Sequence, residues 1–364
     1  MLARRPLAAA ARRVSPLPPR PTPHWGRHAR TVLSTPVPTP PKPTKDPARA
    51  ALQALLARIN YQILPLPGEA PDAPSRRVAL MHLSFAEGED LSSSLAAAQA
   101  DEDYDAELWS VLWPSAVAAA GELARQPALT AGKRVVELGC GLGLPGIAAA
   151  LCGARSVLLT DQEPRALRLG LTSATLNALP LHASNTGRGA AIGPFASTKM
   201  LPYSISAGSL LEEGDGPGWP EVSEAERAGV GVVGAEAFCW ETGAVPAAAG
   251  AETLLHAGCA DVVLACDVLY SDEAVGCVAE TVQQLLVPGG VLVLADPAGA
   301  VAGLEEGEQA RGRAMELCQL LATAGAKAGR PLSLVGCESV AVRLDAADAP
   351  ADVDVYVVRL GSSD

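Results

Sequence analysis

Little in this chain marks it as extracellular, membrane-spanning or metal-bound. Its eight cysteines, at 140, 152, 239, 259, 266, 277, 318 and 337, form no Cys-x-x-Cys pair and share no zinc-type spacing with the five histidines. They read as small buried hydrophobes of a reducing compartment, so neither a disulfide framework nor a metal site is expected. No apolar run reaches membrane-spanning length without a glycine, proline or charge in it, and a soluble protein with no membrane partner is the expectation.

Acidic residues are missing from residues 1–45, which hold seven Arg and two Lys. An Arg-rich, acid-free stretch with Ser and Thr is the composition of a mitochondrial or chloroplast transit peptide, and the apolar core of about 7–15 residues that secretory signals carry is absent. A plain disordered tail is the alternative, since prolines crowd the stretch from Pro16 to Pro47. The whole chain carries −12, so residues 46–364 carry −21. Such a body argues against nucleic acid as a partner, because phosphate contacts need a basic face. It suits a basic partner such as a lysine-bearing protein surface.

Helical spacing of Leu52, Leu55, Leu56 and Ile59 predicts a helix over Pro47 to Tyr61, and Arg76–Phe85 reads as a strand. These belong to an N-terminal extension, residues 46–106. From residue 107 to 364 one catalytic domain is expected. Its rhythm is strand, glycine-rich turn and helix, with strands at Arg134–Leu138, Ser156–Thr160, Asp261–Ala265 and Val291–Ala295. Residues 332–335 and 353–360 close the pattern as an antiparallel edge pair. This alternation predicts an α/β fold with a doubly wound, Rossmann-like sheet. Residues 181–234 break the rhythm and read as a disordered surface insert.

The most informative stretch is VVELGCGLGLPG, residues 135–146, in which a buried strand runs into glycines at 139, 141, 143 and 146 before a helix. The glycines let the backbone turn tightly and a ligand approach it closely. Asp161 ends the next strand, where it is placed to accept ribose hydroxyls. Two ligands fit. Gly141-x-Gly143-x-x-Gly146, with Asp161 lying 20 residues past Gly141, satisfies the dinucleotide fingerprint. Against that stands Glu137, since an acid just before the turn opposes a pyrophosphate at the helix N-terminus. S-adenosylmethionine has no phosphate and carries cationic groups, and Glu137 fits it better.

The order Trp-Pro-Ser-Ala, Glu-Leu-Gly-Cys-Gly-Leu-Gly-Leu-Pro-Gly, Thr-Asp, Cys-Trp and Cys-Asp-Val-Leu-Tyr resembles the class I, seven-strand methyltransferases. More narrowly it resembles the methyltransferase-like 21 branch of protein-lysine methyltransferases. The resemblance runs over roughly residues 104–360 and implies a sheet order of 3-2-1-4-5-7-6 with the last strand antiparallel. It implies that Trp113 borders the methionine end of the cofactor, with Gly139 and Gly141 beneath it. Asp161 would hold the ribose and Trp240 would pack by the adenine. Cys266 would line the site, and Asp267 and Tyr270 would form an acidic-x-x-aromatic motif at the substrate channel. Cys239-Trp240-Glu241 stands where the family often has Asp-Trp-Gly.

Each of these residues has a plainer reading. Trp109 and Trp113 stand four apart on an apolar helix and either can be core, as can Trp240 and Tyr270. Asp267 is harder to set aside, because an unpaired carboxylate after an apolar strand is costly. The leading expectation is an S-adenosylmethionine-dependent methyltransferase acting on a protein lysine, in a mitochondrion or chloroplast. The alternatives are another acceptor on the same fold, a catalytically silent binding domain, and an NAD(P)-dependent oxidoreductase.

Overall fold

Short runs of valine and leucine closed by glycine or a carboxylate become strands here, as their length and composition require. The computed structural model describes residues 58–66, 76–84, 107–182, 231–248, 253–297, 307–327, 332–344 and 351–361. The chain divides into two units, Met1–Leu33 and Ser34–Asp364, and every described residue lies in the second. The expected leader, residues 1–45, therefore lies outside the described residues.

Strands β1 (Ile59–Leu66) and β2 (Arg76–Leu83) pair antiparallel. Seven others form one sheet: β3 (Arg134–Leu138), β4 (Ser156–Asp161), β5 (Val232–Ala237), β6 (Ala260–Cys266), β7 (Leu286–Pro297), β8 (Leu332–Val342) and β9 (Ala351–Leu360). Its order is β5-β4-β3-β6-β7-β9-β8. Counted from β3, that is the 3-2-1-4-5-7-6 order implied by the motifs. Only β9 runs antiparallel to its neighbours. The Rossmann-like, doubly wound sheet is as expected.

The helices are α1 (Pro114–Arg125), α2 (Leu144–Leu151), α3 (Pro164–Leu176), α4 (Asp272–Leu285) and α5 (Gly307–Lys327). Alternation along the strands sorts the core into two layers. Val135 of β3 and Val262 and Leu264 of β6 face Leu123, Ile147 and Leu167 of α1, α2 and α3. Val136, Leu138, Val263 and Ala265 face Val278, Leu285 and Leu317 of α4 and α5. Pro114 and Pro164 sit in the first turns of α1 and α3, where a missing N–H goes unnoticed. Ser271 caps α4 by accepting the Ala274 N–H at 3.1 Å. Arg134 and Asp261 tie β3 to β6, with guanidinium and carboxylate 2.9 Å apart. Among the described residues, no helix is long and apolar enough to cross a membrane.

Two expectations need correction. Ile59, Asn60 and Tyr61 open a strand instead of closing a helix, because β2 offers a full antiparallel partner from Ile59↔Leu83 to Leu66↔Arg76. The rest of the expected helix lies outside the described residues. Leu66, Val78, Leu80, Met81 and Leu83 of the extension join the core layer of α1–α3. Asn177, just past α3, accepts the Ala79 N–H at 3.0 Å and donates to the Ala79 carbonyl at 2.7 Å. Ser173 accepts the Met81 N–H at 2.9 Å. Side chains thus complete the free edge of β2 as another strand would.

The bounds of the expected insert are too wide at both ends. Val232, Val233 and Gly234 belong to β5, paired with Ser156, Val157 and Leu158, and Leu181 bridges Val233. Residues 183–230 lie outside the described residues. The Gly-rich sequence around residue 231 hid the strand start.

Candidate active site

The C-terminal ends of β3, β4 and β6 meet around the glycine turn, where a doubly wound sheet opens its crevice. Gly139 and Gly141 both take left-handed backbone, with φ of 57° and 50°. Neighbours press on both. A Cβ on Gly139 would lie 2.8 Å from the Trp240 ring, and one on Gly141 would lie 3.1 Å from the Trp109 carbonyl oxygen. The turn is therefore bracketed by two tryptophans, one from each side of the sequence.

Glu137, expected beside the cofactor, is 2% exposed, and its Oε2 accepts the Gly146 N–H at 2.9 Å. Burial, with a contribution from nearby Asp161, pushes its carboxyl up to about 8 against the opposing Gly146 hydrogen bond. At neutral pH it holds a proton, so it presents no negative charge that would repel phosphate. The contact with Gly146 supplies a different and stronger argument. The first turn of α2 begins Leu144-Pro145-Gly146. Pro145 has no N–H and the one on Gly146 is taken. A pyrophosphate needs such free donors at a helix N-terminus, and α2 has lost two of them.

Asp161 ends β4, 7% exposed. Its Oδ2 accepts the Gly141 N–H and its Oδ1 the Glu163 N–H, each at 2.9 Å. Burial raises its carboxyl to about 6, against the pull of the Glu163 and Gly141 amides. It clamps the glycine turn to the start of α3 and stands beside the crevice.

Trp113 and Trp109 do not share one helix. Trp109 lies in a 3-10 turn, Leu108–Ser110, and Trp113 is the N-cap of α1. Pro114 breaks the apolar run into two pieces, because the residue before a proline avoids helical backbone. The Trp113 indole N–H donates to the Leu108 carbonyl at 3.1 Å.

At the end of β6, Cys266 is half-buried, and its thiol is pushed well up by burial. Asp267 follows in left-handed backbone, φ 53°, which few residues other than glycine adopt and which asparagine and aspartate tolerate best. Such strain persists where a site holds it. Burial pushes the Asp267 carboxyl up to about 7, with the Ser115 hydroxyl pulling the other way. Tyr270 is 55% exposed and donates to Glu241 Oε1 at 2.8 Å. Its ring lies 6.4 Å from that of Trp240, which stands in the turn beyond β5. Trp240, Glu241 and Tyr270 together form an open rim.

Among the described residues, the buried Trp109 Nε1 and Trp240 Nε1 have no hydrogen-bond partner, and Ser115 Oγ and Asp267 Oδ2 have none beyond the interaction of that hydroxyl with that carboxyl. Each such group costs about 1–3 kcal/mol if left unmet. The two indoles ask for a ligand with hydrogen-bond acceptors, and the Asp267 carboxylate for a donor or cation. S-adenosylmethionine, with a carboxylate and ribose oxygens, fits the first, and an amine-bearing acceptor fits the second. Sequence reasoning gave no role to Ser115 or Glu241. A lone serine in the alanine-rich start of α1 was the available signal for the first.

The fold and turn define a doubly wound scaffold with a ligand crevice at the glycine turn, and part of the chain is similar to known methyltransferases. Residues 95–178 match the family described as lysine methyltransferase. The electron transfer flavoprotein beta subunit lysine methyltransferase of Danio rerio is 43% identical over 56 residues, 15% of this chain and 22% of that protein. The Mus musculus protein of the same name is 34% identical over 85 residues, 22% of this chain and 33% of its own. The histone-arginine methyltransferase METTL23 of Homo sapiens is 40% identical over 70 residues, 19% of this chain and 37% of that protein. The similarity thus spans well under half the length of these relatives. The resemblance read from the motifs stands.

Proposed function

We propose that this protein is an S-adenosylmethionine-dependent methyltransferase acting on a protein side chain, lysine first. The observation that carries this reading is the pair of buried indole N–H groups, Trp109 and Trp240, that flank the glycine turn with no acceptor among the described residues. The loss of two donors from α2 supports it against NAD(P), and the strand order and the match over residues 95–178 support it against an unrelated binder. A silent domain would have no need to keep Asp267 in left-handed backbone with its carboxyl buried.

S-adenosylmethionine supplies a methyl group already activated by a sulfonium. The protein's work is alignment, which is worth about 7–11 kcal/mol when well done. In this reading Gly139, Gly141, Trp113, Trp240 and Cys266 shape the cofactor site, and Asp161 meets the ribose at the edge of its present contacts. Glu137 acts indirectly, by holding the turn against α2. A lysine must lose a proton first, at a cost of roughly 4 kcal/mol near neutral pH from its ordinary pKa of about 10.4. Asp267 Oδ2 would attract the ammonium, orient it and accept that proton. A carboxyl poised near 7 suits this role. Tyr270 at the rim would pack the alkyl stem. The similarity to a histone-arginine methyltransferase makes arginine the second reading. The acid-free residues 1–45 support action in a mitochondrion or chloroplast.

Calorimetric titration of the full-length protein with S-adenosylmethionine, S-adenosylhomocysteine and NAD tests the cofactor. Micromolar binding of the first two, weakened in Asp161→Ala, is expected, and binding of NAD alone would overturn the reading. For the acceptor, methyl-labelled organelle protein is hydrolysed and its amino acids resolved. Methyl-lysine is expected, and label in methylarginine would replace lysine by arginine.

A further inference from the structure

The two tryptophans that precede α1 differ in one respect that the motifs do not show. The Trp113 indole N–H is already committed to the Leu108 carbonyl. The Trp109 indole N–H is buried and has no acceptor among the described residues. Trp109 is also the one whose backbone lies on the glycine turn, its carbonyl oxygen 3.1 Å from where a Gly141 Cβ would stand.

Its ring is held in place. The Arg165 guanidinium stacks over it, 4.8 Å from the ring centre. Arg165 is itself fixed by Glu163 at 2.8 Å and Glu107 at 3.6 Å. Glu163 caps α3, two residues past Asp161. The indole is therefore pinned between the glycine turn and the first turn of α3, on the side of the crevice that Asp161 borders. Across the turn, Trp240 lies against Gly139 with its own N–H unmet. A buried donor without a partner is rare in native proteins and points to a missing acceptor. Two of them on opposite sides of one ligand-type turn point to the same one.

We propose that Trp109 is a cofactor-binding residue, its indole N–H donating to an oxygen of S-adenosylmethionine, with Arg165 as the positioning residue that holds the ring. This rests on the methyltransferase reading above and adds to it a contact that the family resemblance does not assign. Trp113 keeps a shaping role through its place at the N-cap of α1.

The test uses the full chain with Trp109→Phe, which keeps an aromatic face for Arg165 and removes the donor. By calorimetry, S-adenosylhomocysteine should bind about tenfold more weakly than to wild type. The smaller phenyl ring lowers the melting temperature of the unliganded protein under either role, so affinity relative to wild type decides. A merely structural tryptophan predicts unchanged affinity. Arg165→Gln, which leaves Trp109 in place, should weaken binding in the same direction and serves if Trp109→Phe does not fold. Methylthioadenosine, which lacks the amino acid carboxylate, locates the acceptor. Weakening with both probes places it on the nucleoside, and weakening with S-adenosylhomocysteine alone places it on the carboxylate. Wild-type binding with unchanged affinity in both variants would overturn the inference. Absence of wild-type binding would overturn the methyltransferase reading beneath it.

Discussion

Replacing Glu137 by glutamine probes how the glycine turn is held. The wild-type side chain is buried, accepts the Gly146 N–H, and has its carboxyl raised to about 8. Glutamine keeps the shape and the acceptor oxygen and cannot ionise. A carboxyl whose folded pKa lies above its unfolded value binds more protons in the folded state, so stability falls as pH rises between the two values. With about 4.3 for the unfolded chain and about 8 for the folded one, the penalty is about 1 kcal/mol at pH 5 and about 4 kcal/mol at pH 7.5. The advantage of Glu137→Gln over wild type should therefore grow by about 3 kcal/mol across that interval. Asp161 and Asp267 also have raised pKa values and lower stability over part of the same range. They do so in both proteins, and the comparison largely cancels them. Urea unfolding at several pH values reads the effect as a widening gap between midpoints, on the order of 1 M for a chain of this size. A constant gap from pH 5 to 7.5 would mean that Glu137 is ionised when folded, and the reasoning would fail.

Gly139→Ala should abolish cofactor binding and lower stability by about 1–3 kcal/mol, because its Cβ meets the Trp240 ring at 2.8 Å in left-handed backbone. Unchanged calorimetric affinity would contradict the close approach. Asp267→Asn should reduce methyl transfer to background while S-adenosylhomocysteine still binds; full turnover would sink the role given to the carboxylate. The pH profile of kcat/KM should rise through about 7 as Asp267 ionises. Ser115→Ala should move that limb to higher pH, since the hydroxyl favours the charged form, and an unmoved limb would separate the two residues. Asn177→Ala should weaken the β1–β2 hairpin by about 1–3 kcal/mol through the buried Ala79 groups it leaves unmet. Hydrogen exchange at Ala79 is the readout, and unchanged protection would refute it.

The sheet was legible because its strands carry a strong signal. Arg134–Leu138 and Asp261–Ala265 are apolar on both faces and closed by turn residues, which only a covered parallel strand explains. The elements that were misread depend on partners distant in sequence. Ile59–Tyr61 carries apolar spacing compatible with a helix, and only the pairing with Leu83, His82 and Met81 decides for strand. Val232–Gly234 is a short edge run within glycine-rich sequence, and its claim to be a strand comes from Ser156–Leu158 alongside. Neither partner shows in a local window.

The site was legible in the identity of its residues and less so in what each one does. Chain order placed Gly139, Asp161 and Asp267 at the ends of adjacent strands, and topology then brought them together without further information. What spacing cannot show is which polar groups are already spoken for. Glu137 looked like a charge offered to a ligand, yet its oxygen belongs to Gly146 and burial keeps it protonated. Trp113 and Trp109 looked equivalent, and a single hydrogen bond to Leu108 separates them. In each case the deciding fact is the partner a donor or acceptor has found. A buried group that has found none is the one whose partner is still to come, and by that criterion Trp109 and Trp240 mark the crevice more sharply than the glycine motif that first drew attention to it.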